Sequence, residues 1–70
     1  MNKYLVTFHK VVSDDTGHDH RILQRRSLVV ALSAVSAAFE AKAIFRQVMG
    51  VADWRLRADT CEVVPIAEAA

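Results

Sequence analysis

The stretch bounded by Ser33 and Gly50 limits most strongly what this chain can become. Residues 34–49 contain neither glycine nor proline, and Ala34, Ala37, Ala38, Ala41 and Ala43 are of the residue type with the highest helix preference. Ser33 suits the N-cap, because its hydroxyl can accept from a backbone N–H left free in the first turn. Gly50 suits the left-handed residue that closes a helix, since it has no Cβ to clash there. These signals predict one helix over 34–49. A single helix cannot bury an apolar stripe against itself, so the rest of the chain must supply a surface for it.

The flanking segments read as strands. Residues 3–12 (KYLVTFHKVV) are rich in aromatic and β-branched types with period-2 alternation. Tyr4, Val6 and Phe8 point one way and form the better core face, whereas Leu5, Thr7, His9 and Val11 point the other. Residues 13–20 (SDDTGHDH) carry turn chemistry. Residues 21–31 (RILQRRSLVVA) form a second strand whose alternation slips near Arg25–Ser27. A β-bulge is expected there, bringing Val29 and Leu23 onto compatible faces. Residues 60–66 (TCEVVPI) form a short third strand, in which Pro65 marks an end or an outer edge because it cannot donate to a ladder. The passage 51–59 reads as a connection with a turn or extended piece around Trp54, and the tail 67–70 is expected to fray.

Together these elements predict one α+β domain of order β-β-α-β. Its sheet is three-stranded and mainly antiparallel, with strand order 2-1-3 and the helix on one face. Order 1-2-3 is the alternative, but it requires a parallel pair in a small sheet.

At about 100° per residue, Ala34, Ala37, Ala38, Ala41, Ile44, Phe45 and Val48 share the helix stripe assigned to the sheet. Phe39 projects about 160° away, near Val35 and Ala43 and flanked by Lys42 and Arg46. This gives a candidate protein-contact patch: Val35, Phe39, Ala43 and Arg46. An exposed phenylalanine is also compatible with an ordinary surface.

Length and charge narrow the functional classes. Seventy residues make a domain near the lower limit for a self-supporting core, so a partner copy would help. An apolar fraction of 53% excludes disorder and suggests more apolar surface than so small a monomer can hide. A net charge of +1 provides no global field for nucleic acid or lipid. No apolar run is long enough to span a bilayer, and the start lacks a signal pattern. The single cysteine, Cys61, cannot form an internal disulfide, so the cytoplasm is the expected compartment.

Candidate chemistry is sparse. His18 and His20 lie among Asp14, Asp15 and Asp19 and are weak candidates for metal ligands, but a site needs three or four convergent donors. Cys61 lies in a strand pattern, where a small buried hydrophobe is the usual role. No catalytic residue, cofactor or small-molecule substrate is expected. Arg21, Arg25, Arg26, Arg55 and Arg57 are the nucleic-acid candidates, with Arg55 and Arg57 leaving one face if their segment is extended. Trp54 is expected to close the open end of the core. The leading expectation is therefore a non-enzymatic protein-interaction or assembly module, acting through its surface as a homodimer or with another protein. A small nucleic-acid-binding regulator is the alternative.

Overall fold

The computed structural model describes residues 1–66; the tail expected to fray lies outside the described residues. Strand β1 (Asn2–Ser13) and strand β2 (Asp19–Ala31) form a long antiparallel hairpin. Helix α1 (Ala34–Met49) follows, then a single 3-10 turn at Trp54–Leu56, then strand β3 (Thr60–Ile66). Strand β3 returns antiparallel to the free side of β1, which gives the order β2-β1-β3. This is the expected α+β architecture, with the helix on one face of the sheet. Among the described residues, no helix is long and apolar enough to cross a membrane.

The helix ends obey their local chemistry. The Ser33 hydroxyl accepts from Ser36 N–H at 3.1 Å. Gly50 takes φ 66°, ψ 37°, and Val51 N–H then reaches Arg46 C=O at 3.0 Å while Gly50 N–H reaches Gln47 C=O at 3.3 Å. This Schellman pattern satisfies carbonyls that would otherwise lack partners at the C-terminus.

The core is small. It comprises Tyr4, Val6, Phe8, Val29, Ala31, Ala37, Ala41, Phe45 and Ala58, with Met49, Trp54, Cys61 and Val63 packed against it. Phe8 and Phe45 stack with centroids 4.3 Å apart, and Trp54 meets Phe8 edge-on at 5.8 Å. Trp54 thus closes the end of the core as expected. Lys42 lies over the Trp54 ring, with Nζ 5.0 Å from the centroid.

Two expectations require correction. The sequence places Ala34 and Val48 on the buried stripe, yet both are exposed, Val48 to 55%. The residues that enter the core are Ala37, Ala41 and Phe45, with Met49 packed beside them. This i, i+4 row winds about 40° around the axis per step, so the side that meets the sheet rotates along the helix and leaves Ala34 and Val48 off it. The second correction concerns the bulge. The irregularity is present, but it falls between the pairs Phe8–Arg25 and His9–Leu23, with Gln24 as the extra residue. One inserted residue reverses the facing of what precedes it. Val29 therefore lies in the core, while Leu23 lies opposite His9 on the other face.

Candidate interaction surface

Helix α1 covers only the face presented by Tyr4, Val6 and Phe8. The side chains on the opposite face can be placed by register, because directly paired residues share a face. At one end, Val30, Lys3 and Ile66 form a row across the three strands. Next come Leu28, Leu5 and Val64, then Arg26, Thr7 and Glu62, then Leu23, His9 and Thr60. Two neighbouring rows thus hold five large aliphatic side chains around Lys3. Leu28 is 62% exposed, Val64 50% and Val30 48%. No described element packs over them.

Beyond these rows the hairpin continues without the third strand. The last β1–β3 pair is His9–Thr60, whereas β1 and β2 remain paired as far as Ser13–Asp19. Asp59 secures the root of this arm: its N–H donates to His9 C=O at 2.8 Å, and its carboxylate accepts from Val11 N–H at 2.7 Å. The arm carries exposed Val11, Val12 and Ile22. A two-stranded ribbon gains little stability by itself, so this segment depends on its anchored base.

The polar part of the open face is ordered by charge. Arg21 forms an ion pair with Glu62 across β1. Arg26 projects from the row that contains Thr7 and Glu62. The other arginines are dispersed. Arg25 is paired with Phe8, so it leaves the helix-covered face, opposite to Arg26. Arg55 is held by Asp53 at 2.9 Å, and this contact, with the Arg55 N–H, lowers the Asp53 pKa to about 2. Arg55 and Arg57 do not lie on an extended segment, because the 3-10 turn begins at Trp54 and Arg57 N–H donates to Trp54 C=O. The expected joint projection of their guanidinium groups is therefore corrected.

On the far side of the molecule, Phe39 is 76% exposed and Val35 is similarly uncovered, while Ala43 is half-buried. Phe39, Lys42, Arg46 and Trp54 border a groove of about 290 Å³. Of the patch expected at Val35, Phe39, Ala43 and Arg46, the fold thus leaves Val35, Phe39 and Arg46 exposed and Ala43 half-buried.

The histidine loop is a local structure. The Asp14 carboxylate accepts from Thr16 N–H, Thr16 Oγ1 and His18 N–H at 2.6–2.9 Å, and its other oxygen meets His20 Nε2 at 2.8 Å. These donors lower the Asp14 pKa to about 2, with the Thr16 hydroxyl contributing most. His18 Nδ1 faces Thr16 Oγ1 at 2.9 Å. Among the described residues, no cluster of three or more His, Cys, Asp or Glu side chains could hold a metal ion. Cys61 faces the core beside Phe8, and burial pushes its thiol pKa up, with Lys42 acting in the opposite direction. A thiol in that state is mostly protonated and a poor nucleophile at neutral pH.

The open sheet face was not singled out from the sequence. Its signal is nevertheless there: Leu5 alternates against Tyr4 and Val6, and Leu28 and Val30 alternate against Val29. Both faces of these strands are apolar at one end, a pattern that also fits a fully buried strand. No family model, curated protein or solved structure matches this chain.

Proposed function

We propose that this chain is a non-enzymatic interaction or assembly module that works through its surface, and that the uncovered face of its sheet is the working surface. One observation carries the reading: Leu5, Leu28, Val30, Val64 and Ile66 fall into two adjacent rows on a face that no described element covers. An antiparallel sheet with one face in water normally alternates apolar-in and polar-out. Here the alternation fails at one end of the sheet, and contiguous exposed apolar patches of that kind mark contact sites. The arrangement of ionisable groups also supports binding over catalysis. Asp14 and Asp53 organise a loop and a turn, and the Cys61 thiol is half-buried in the core layer. The arginines favour the nucleic-acid reading less, since Arg21 and Arg55 each face a carboxylate and Arg25 and Arg26 leave opposite faces. A free thiol suits a reducing compartment, and the cytoplasm is the one we propose.

Site-specific photo-crosslinking in the producing cell tests this directly. A photoreactive phenylalanine analogue at position 28 is expected to give a discrete protein adduct, and the same analogue at position 47, on the polar side of α1, is expected to give none. Absence of any adduct at position 28 above the position-47 background would count against the proposal, whatever the partner.

A further inference from the structure

We infer that the partner of the open sheet face is a second copy of this chain, related by a two-fold axis running along β1; the inference rests on the face being a contact surface at all. The face is complementary to itself under that operation. A two-fold axis parallel to the central strand turns one sheet over the other and places β2 of each copy against β3 of the other. Leu28 and Val30 then lie over Val64 and Ile66 of the second copy, and the reciprocal contact repeats on the other side of the axis. The same operation brings Arg26 over Glu62 of the second copy, twice. Glu62 already accepts from Arg21, and a carboxylate has acceptor sites for a second guanidinium. Lys3 lies on the axis, so the operation brings the two Lys3 side chains together at the end of the sheet.

Size is compatible with the geometry. Strands about 4.8 Å apart, rising about 3.3 Å per residue, give the face with its arm on the order of 400–500 Å² in plan. Side-chain relief raises the accessible area toward the roughly 800 Å² per partner of a standard interface. Two sheets packed this way align within about 30° at a spacing of about 10 Å, producing a four-layer helix–sheet–sheet–helix particle. An interface of that size, half aliphatic and half polar or charged, is expected to dissociate in the micromolar range, about 1–100 μM.

Sedimentation equilibrium of the purified chain from about 1 μM to about 1 mM tests this. The mass is expected to rise from 7.8 kDa to twice that value. Leu28→Lys is expected to hold the chain at the monomer mass. Arg26→Glu and Glu62→Arg are each expected to weaken the dimer at least about tenfold, and the double exchange to restore it to within about threefold. Both charged positions are exposed, so these variants decide the matter even if Leu28→Lys folds poorly. A monomer mass throughout overturns the inference. So does a dimer that is indifferent to Leu28→Lys, one lost on Phe39→Asp, or an exchange that fails to restore association. Monomeric protein combined with a position-28 adduct to a different protein overturns self-association and leaves the interaction reading standing. Monomeric protein with no adduct overturns both.

Discussion

Asp14 shows how one side chain can absorb residues that look functional in the sequence. Its two oxygens collect the Thr16 and His18 amides, the Thr16 hydroxyl and the His20 ring. The composition of the loop was readable as turn chemistry, but which carboxylate becomes the hub depends on where Gly17, at φ 82°, turns the chain. The Asp14 pKa is lowered from 3.8 to about 2, so its contribution to stability is complete above the unfolded value and is lost as pH falls from about 4 to about 2. Asp53 acts over the same window through Arg55. Thermal unfolding followed from pH 5 downward is therefore expected to show a shallower acid decline for Asp14→Ala than for the parent chain. An unchanged slope would mean that the loop contacts do not persist in solution.

At the scale of elements, the two faces of α1 make different predictions. Phe45 is fully buried and stacks on Phe8, so Phe45→Ala is expected to cost about 3–5 kcal/mol in denaturant unfolding. Phe39 is largely exposed, so Phe39→Asp is expected to change unfolding free energy by no more than about 0.5 kcal/mol. A loss of several kcal/mol on Phe39→Asp would place that residue in the core. Helix bounds and the first-strand core set were legible because each rests on local signals: Ser33, Gly50 and the alternation of Tyr4, Val6 and Phe8. Strand order was legible because the alternative requires a parallel pair in a small sheet. The buried side of α1 was legible only in part. Angular position alone cannot say that the contact follows the winding Ala37, Ala41, Phe45, Met49 row, which depends on how the helix crosses the strands. Around Trp54 a turn or an extended piece was legible but not which of the two, because the Asp53 cap that forms the turn is a three-residue signal in an otherwise featureless linker.

Considered as a whole molecule, the chain is a thin slab of 47 × 28 × 16 Å, with one helix on one side of a sheet and nothing described on the other. A fold with so few layers buries a modest core and leaves its second sheet face to be matched by something else. That face was the part of the candidate site hardest to read from sequence. Alternation distinguishes two faces but does not tell which will be covered, and Leu28, Val30 and Val64 assemble into rows only once the register is fixed. Phe39 stands out in the sequence because it interrupts a helical stripe, whereas the sheet patch is spread over three segments far apart in the chain. The central claim, that two copies of the chain meet through this face, is most directly tested by methyl NMR over a dilution series of the purified chain. The Leu28, Val30 and Val64 methyl resonances are expected to shift with concentration while those of Val35 and Val48, on α1, stay fixed. Sheet-face methyls that stay constant across the series, or movement confined to Val35 and Val48, would contradict it.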